Sequence, residues 1–136
     1  MTQVNRDAAI QEELGRAESA LAASTLLSKN GFPLDAVSRL YYSLLFRVRA
    51  LLLTVELEPK SHEGAIRLLS LHFVKTGLLE PEASHLFSRM MKYREEADYN
   101  PSYSFSADEV HRLYNEAAAF STRVAVLIRQ AGFLER

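Results

Sequence analysis

The stretch from Leu34 to Val55 admits few folds. Read as a helix, it is apolar on more than one side. Leu34, Val37, Tyr41, Leu44, Val48, Leu51 and Val55 make one stripe, and Leu40, Leu45, Leu52 and Phe46 broaden it. Such a helix has to be covered from several directions. It is expected at the centre of a bundle, or shared between a bundle and a partner subunit. Pro33 starts it at a position where a missing N–H costs nothing, and it runs to about Thr54. Its polar residues are Asp35, Ser38, Arg39, Ser43, Arg47 and Arg49.

The rest of the chain supplies helices to cover it. Val4 to about Lys29 carries Ile10, Leu14, Ala17, Leu21 and Ser24 at helical spacing, and Asn30-Gly31 ends it. Glu56 to Lys60, with Pro59, is a turn. Ser61 is the expected N-cap of a third helix from His62 to Thr76, closed by Gly77. Pro81 opens a fourth helix to about Tyr99. Asn100-Pro101 stops it, because proline disfavours the α region in the residue before it. Ser106-Ala107-Asp108-Glu109 is a capping box, and a fifth helix follows to about Ala131. With only 5 Gly and 4 Pro, the chain lacks the many tight turns that an all-β fold needs. The short loops favour antiparallel neighbours. The expected fold is therefore all-α, an up-down bundle of about five helices, with residues 1–136 as one domain.

Composition narrows the function classes. A net charge of -1 gives no global attraction to nucleic acid, so any RNA contact needs a local patch. Without Cys there is no disulfide, thiolate nucleophile or Cys-ligated metal, which fits a reducing, cytoplasmic setting. The polar N-terminus is not a signal peptide, and no apolar run is long enough to span a membrane. His62, His72, His85 and His111 are dispersed, with no pair at helical metal-site spacing, so no metal or other cofactor is expected. No Gly-rich phosphate loop and no nucleophile elbow is present.

The densest cluster of ionisable and phenolic groups is Tyr93 to Pro101. On the helical grid, Phe87, Met91, Arg94 and Asp98 share a stripe, so an apolar seam turns polar at the helix end. An Arg–Asp pair beside a seam is either a structural lock or the lining of a site. Lys60-Ser61-His62 is a second candidate. Free N–H groups and the positive end of the helix dipole, with Lys and His beside them, suit a phosphate. An ordinary Ser cap is the simpler reading. Tyr41, Tyr42 and Tyr93 read as core or interface aromatics.

Four fragments, in this order, resemble a known family. They are Ser38-Arg39-Leu40-Tyr41-Tyr42-Ser43 running into Arg49-Ala50-Leu51-Leu52, then Lys60-Ser61-His62-Glu63-Gly64, then His72 to Gly77, then Arg94-Glu95-Glu96-Ala97-Asp98-Tyr99. Together they resemble the HEPN (higher eukaryote and prokaryote nucleotide-binding) superfamily, and within it the small stand-alone prokaryotic branch with an Arg-x-x-Ala-Asp-Tyr signature. The resemblance implies a helical bundle that forms a homodimer and binds RNA or nucleotide. It also implies a toxin–antitoxin or defence setting, with a minimal nucleotidyltransferase as partner. Many relatives are metal-independent endoribonucleases whose Arg is followed, a short distance on, by a His. In some pairs the transferase adenylylates a nearby Tyr, which makes Tyr99 and Tyr103 the tyrosines to inspect.

The carry-over is partial. Arg94 matches the Arg, but Tyr99 stands about where the His would be. Arg67 and His72 have the spacing, yet lie mid-helix in the wrong region. Cleavage by 2′-OH attack needs a base, an acid and a cation. Arg94 supplies the cation. Tyr99 is a poor base at neutral pH, and Asp98 or Glu95 would act as base only if desolvated. The expected site is therefore Arg94, Asp98, Tyr99 and Glu95, with Lys60, Ser61 and His62 as a ligand-binding helper. His62 joins only if the fold sets the start of the third helix beside the end of the fourth. The competing expectations are an inert interaction module, with Arg94 and Asp98 as a lock, and an endoribonuclease with an altered site.

Overall fold

A computed structural model describes residues 2–134. It contains α1 (Gln3–Lys29), α2 (Pro33–Leu53), α3 (His62–Leu69), α4 (Pro81–Tyr99) and α5 (Ala107–Gln130), and no strand among the described residues. The all-α expectation and the five-helix count hold.

Cross-helix hydrogen bonds fix the topology. Arg6 donates to the Thr54 carbonyl, Arg47 to Glu18, and Ser24 to the Ala36 carbonyl. As the residue number rises along α1 it falls along α2, so the two are antiparallel. Arg89 pairs with Glu116, and Arg123 with Glu80, which makes α4 and α5 antiparallel in the same way. At the other end Leu134 N–H donates to Asp7, so α5 finishes where α1 begins. Four long helices thus run up and down, and α3 is the short connector between α2 and α4.

α2 lies at the centre. Val37, Leu40, Tyr41, Leu44, Val48, Leu51 and Leu52 are fully buried, and α2 packs on each of the other four helices. The expected stripe fails only at its ends: Leu34 is half-buried, and Val55 lies past the helix and is exposed. The α1 seam is Ile10, Glu13, Ala17, Ala20 and Ser24, while the expected Leu14 and Leu21 are half-buried beside it. Glu13 occupies a core position because Arg16 and Arg49 reach it at 3.4 and 3.3 Å.

The helix ends follow local chemistry. After α1, Gly31 takes φ +85°, and Phe32 N–H returns to the Leu27 carbonyl. After α2 the same closure uses Glu56 at φ +60°, with Leu57 N–H bonded to the Leu52 carbonyl. No glycine marks that end. α3 departs from the expected helix to Thr76. At Ser70–Val74 it widens into a π-helical turn, closed by Lys75 N–H on the Ser70 carbonyl. The turn keeps Phe73 in the core, four residues after Leu69.

Ser106 and Glu109 form both halves of the capping box at the start of α5. Ser106→Ala is expected to lower stability by about 1 kcal/mol, while Ser106→Asp stays within a few tenths of wild type. Thermal melting of the two variants checks this; an unchanged Tm for the alanine would refute it.

Candidate functional site

The end of α4 meets the start of α3 and the middle of α2. Ser61 caps α3 by accepting from Gly64 N–H at 2.9 Å. A Cβ on residue 64 would come within 3.0 Å of the Ser61 oxygen, so Gly64 leaves room for the cap. The cap sets the first helical residue, His62, facing α4. There Arg94 Nη2 lies 3.4 Å from His62 Nδ1, and Arg94 Nη1 lies 3.4 Å from Asp98 Oδ2 one turn on. An arginine has no acceptor, so His62 Nδ1 accepts and the ring proton sits on Nε2.

Two α2 tyrosines form the floor. The Arg94 guanidinium carbon lies 5.4 Å from the Tyr41 ring centre and 5.9 Å from that of Tyr42. His62 packs on the same rings, at 5.6 and 6.1 Å. The Arg94 side chain is only 12% exposed, against 34% for Asp98. Buried Arg94 Nε has no protein acceptor.

The electrostatics follow from this packing. Burial holds the His62 imidazole below its ordinary value, and the Arg94 charge adds to the effect. Burial works against the Arg94 charge, but Tyr42, the Asp98 hydrogen bond and Tyr41 outweigh it, and the guanidinium is held more firmly charged. Burial pushes the Tyr41 phenol far up, with Arg94 opposing. His62 is therefore neutral at pH 7 and Tyr41 is protonated.

A pH effect follows from His62. Above its ordinary value of 6.5, folded and unfolded chains both hold it neutral. As pH falls through that value the unfolded chain takes a proton that the folded site resists, so stability drops. Arg94 and Arg49 favour the neutral ring, while Glu63 and Glu95 oppose them. Melts at pH 5.5 and 7.5 should therefore show a smaller acid-side loss in His62→Gln than in wild type. Equal losses would contradict the shift.

Of the residues expected at the site, the structure brings Arg94, Asp98 and His62 together within one chain. Ser61 serves as the cap. Lys60 and Glu95 are exposed on the rim. Tyr99 is 78% exposed and outside the cluster, since five residues along an α-helix point away from Arg94. Tyr41 and Tyr42 were not expected there. Their signal was the adjacent pair itself, which places one ring in the core and the next beside it. The grooves between α4 and α5, about 220 Å³, and between α1 and α2, about 520 Å³, lie elsewhere. The first is lined by Glu80, Glu82 and Glu116 against a single Arg123, an environment that repels phosphate.

Comparison with known proteins agrees with this architecture. A family model described as HEPN domain matches residues 10–127. A protein of Methanocaldococcus jannaschii named "putative toxin" is 34% identical over 111 residues, 82% of this chain and 76% of that one. A second protein of that organism, with the same description, is 32% identical over 89% of this chain and 90% of its own length. A UPF0332 protein of Thermotoga maritima is 34% identical over 83% of this chain and 86% of its own.

Proposed function

The chain belongs to the HEPN-domain family, and from that premise we propose that it binds RNA or nucleotide phosphate at the Arg94 cluster. We infer further that it acts as the toxin-like member of a toxin–antitoxin or defence pair, as a homodimer beside a minimal nucleotidyltransferase. The observation that carries the reading is the state of Arg94. It is a mostly buried, permanent cation, seated on two aromatic rings and held by only two hydrogen bonds of 3.4 Å. A phosphate group offers two oxygens to a guanidinium at once, whereas Asp98 accepts through one. The exposed Tyr99 is the phenol a partner enzyme would reach, so a transferred adenylyl group belongs there rather than on Tyr41.

The test is binding of short single-stranded RNA at several salt concentrations, with the oligomeric state read by light scattering. Affinity that falls with salt supports phosphate contact. Absence of binding to RNA, nucleotide and inorganic phosphate would sink the reading and favour an inert interaction module.

The His62 geometry favours a second reading, a metal-independent endoribonuclease. When Arg94 turns onto a phosphate, Nδ1 of a neutral imidazole is released as a base for the 2′-OH; the 2′-oxygen attacks phosphorus, Arg94 stabilises the phosphorane, and the P–O5′ bond breaks as the leaving 5′-oxygen takes a proton from solvent water. The products would be a 2′,3′-cyclic phosphate and a 5′-hydroxyl. Cleavage that persists unchanged in His62→Gln would exclude this role for His62.

A further inference from the structure

We propose that the Tyr41 hydroxyl is a second phosphate-oxygen donor of the Arg94 cluster, acting beside the Arg94 Nε–H. The assignment rests on the RNA- or nucleotide-binding reading above, and it adds the group that would grip the phosphodiester from the protein core.

Tyr41 is fully buried, yet no protein group hydrogen-bonds its hydroxyl. A buried tyrosine hydroxyl nearly always has a partner, and leaving one unmade costs stability. Phe at this position would fill almost the same space without that penalty. The ring that carries the hydroxyl lies in the cluster. Phe87 stacks on the Tyr41 ring at 5.8 Å and 19°, and Tyr42, His62 and Arg94 surround it. The charges acting on the phenol come from Arg94, Tyr42, Glu63 and Glu95, all at the meeting of α2, α3 and α4.

The second orphan is in the same place. Arg94 Nε is buried and also lacks an acceptor. Tyr41 and Arg94 therefore offer two unsatisfied donors beside one permanent cation, and both groups stay protonated at neutral pH. What complements them is an anion that accepts at least two hydrogen bonds, which is the chemistry of a phosphodiester oxygen. Arg94 now covers Tyr41. Its bond to Asp98, at 3.4 Å, is long for a charge-assisted pair. A phosphate that draws Arg94 from Asp98 uncovers the hydroxyl, which α2 and Phe87 hold rigidly from behind.

The experiment compares wild type, Tyr41→Phe and Arg94→Ala. It uses fluorescence anisotropy with a short end-labelled single-stranded RNA, with inorganic phosphate as competitor, and thermal melts without RNA. Tyr41→Phe is expected to weaken RNA binding about tenfold, as loss of a hydrogen bond to a charged acceptor does. Its melting temperature without RNA should be equal to or above that of wild type. That pairing separates a binding role from a structural one, because a structural hydroxyl lowers the melting temperature when removed. Wild-type affinity in Tyr41→Phe, with binding lost in Arg94→Ala, overturns the hydroxyl assignment alone. A wild-type protein that binds neither RNA nor phosphate overturns this assignment together with the reading it rests on. A lowered melting temperature in Tyr41→Phe with unchanged affinity also overturns it.

Discussion

Arg94→Ala is expected to weaken RNA binding by between about tenfold and a hundredfold, the effect of losing charge-assisted hydrogen bonds to phosphate. Arg94→Lys should recover only part of this. Lysine restores the charge, but it has neither the planar fork nor the flat face that lies over Tyr41 and Tyr42. The salt dependence should become shallower in the alanine variant, because one phosphate contact is gone. An internal control accompanies the binding measurement. Arg94 helps to hold the His62 pKa down, second to burial. Its removal should therefore move the His62 titration back toward the ordinary value, a change that NMR reads without ligand. Two measurements then decide between site and lock. A lock predicts a Tm several degrees lower with RNA affinity unchanged, whereas a site predicts lost affinity with a small change in Tm. The Asp98 carboxylate left behind is about a third exposed, so stranding it is mild.

How far the sequence reads ahead of the structure depends on the range of the signal. Pro33, Pro81, Asn100-Pro101 and Ser106-x-x-Glu109 act within a turn of themselves, and the helices start or stop where those residues stand. The π-helical turn at Ser70–Val74 leaves no such mark, since apolar residues at 69 and 73 suit either winding. Glu56 closes α2 in a left-handed conformation without the glycine that would announce it. The candidate site is a long-range object. His62 and Arg94 are brought together only when α3 docks beside α4, and periodicity within one helix carries no information about that docking. The Arg94–Asp98 pair was legible because the two residues lie one turn apart. The tyrosine floor was hidden because an aromatic on an apolar helix reads as core, and Tyr41 is core as well. Tyr99 entered through its place in the resemblance, whereas helical geometry turns it to solvent. The α1 charge at Glu13 escaped notice because one of its two compensating arginines, Arg49, is on another helix.

Phe87→Ala should give the largest loss of stability among single substitutions at the site, about 3 to 5 kcal/mol, the usual cost of emptying a buried aromatic position. Phe87 is fully buried on α4, and its ring stacks on Tyr41. The deletion removes burial and contacts, and leaves a cavity that α2 and α4 can close only by moving together. In a chain of this size the melting temperature should fall by on the order of 10 °C. Phe87→Leu keeps most of the volume and should lose less than about half as much. The two variants also test whether the core supports the site. Phe87 is the wall against which Tyr41 is held, and Tyr41 in turn carries Arg94. If that chain of contacts sets the donor geometry, Phe87→Leu should bind RNA more weakly than wild type even at temperatures where both are fully folded. The leucine no longer stops the Tyr41 ring from tilting. Wild-type affinity in a folded Phe87→Leu protein would show that Arg94 is positioned by Asp98 and His62 alone, and that the α2 floor contributes packing without orienting the cation.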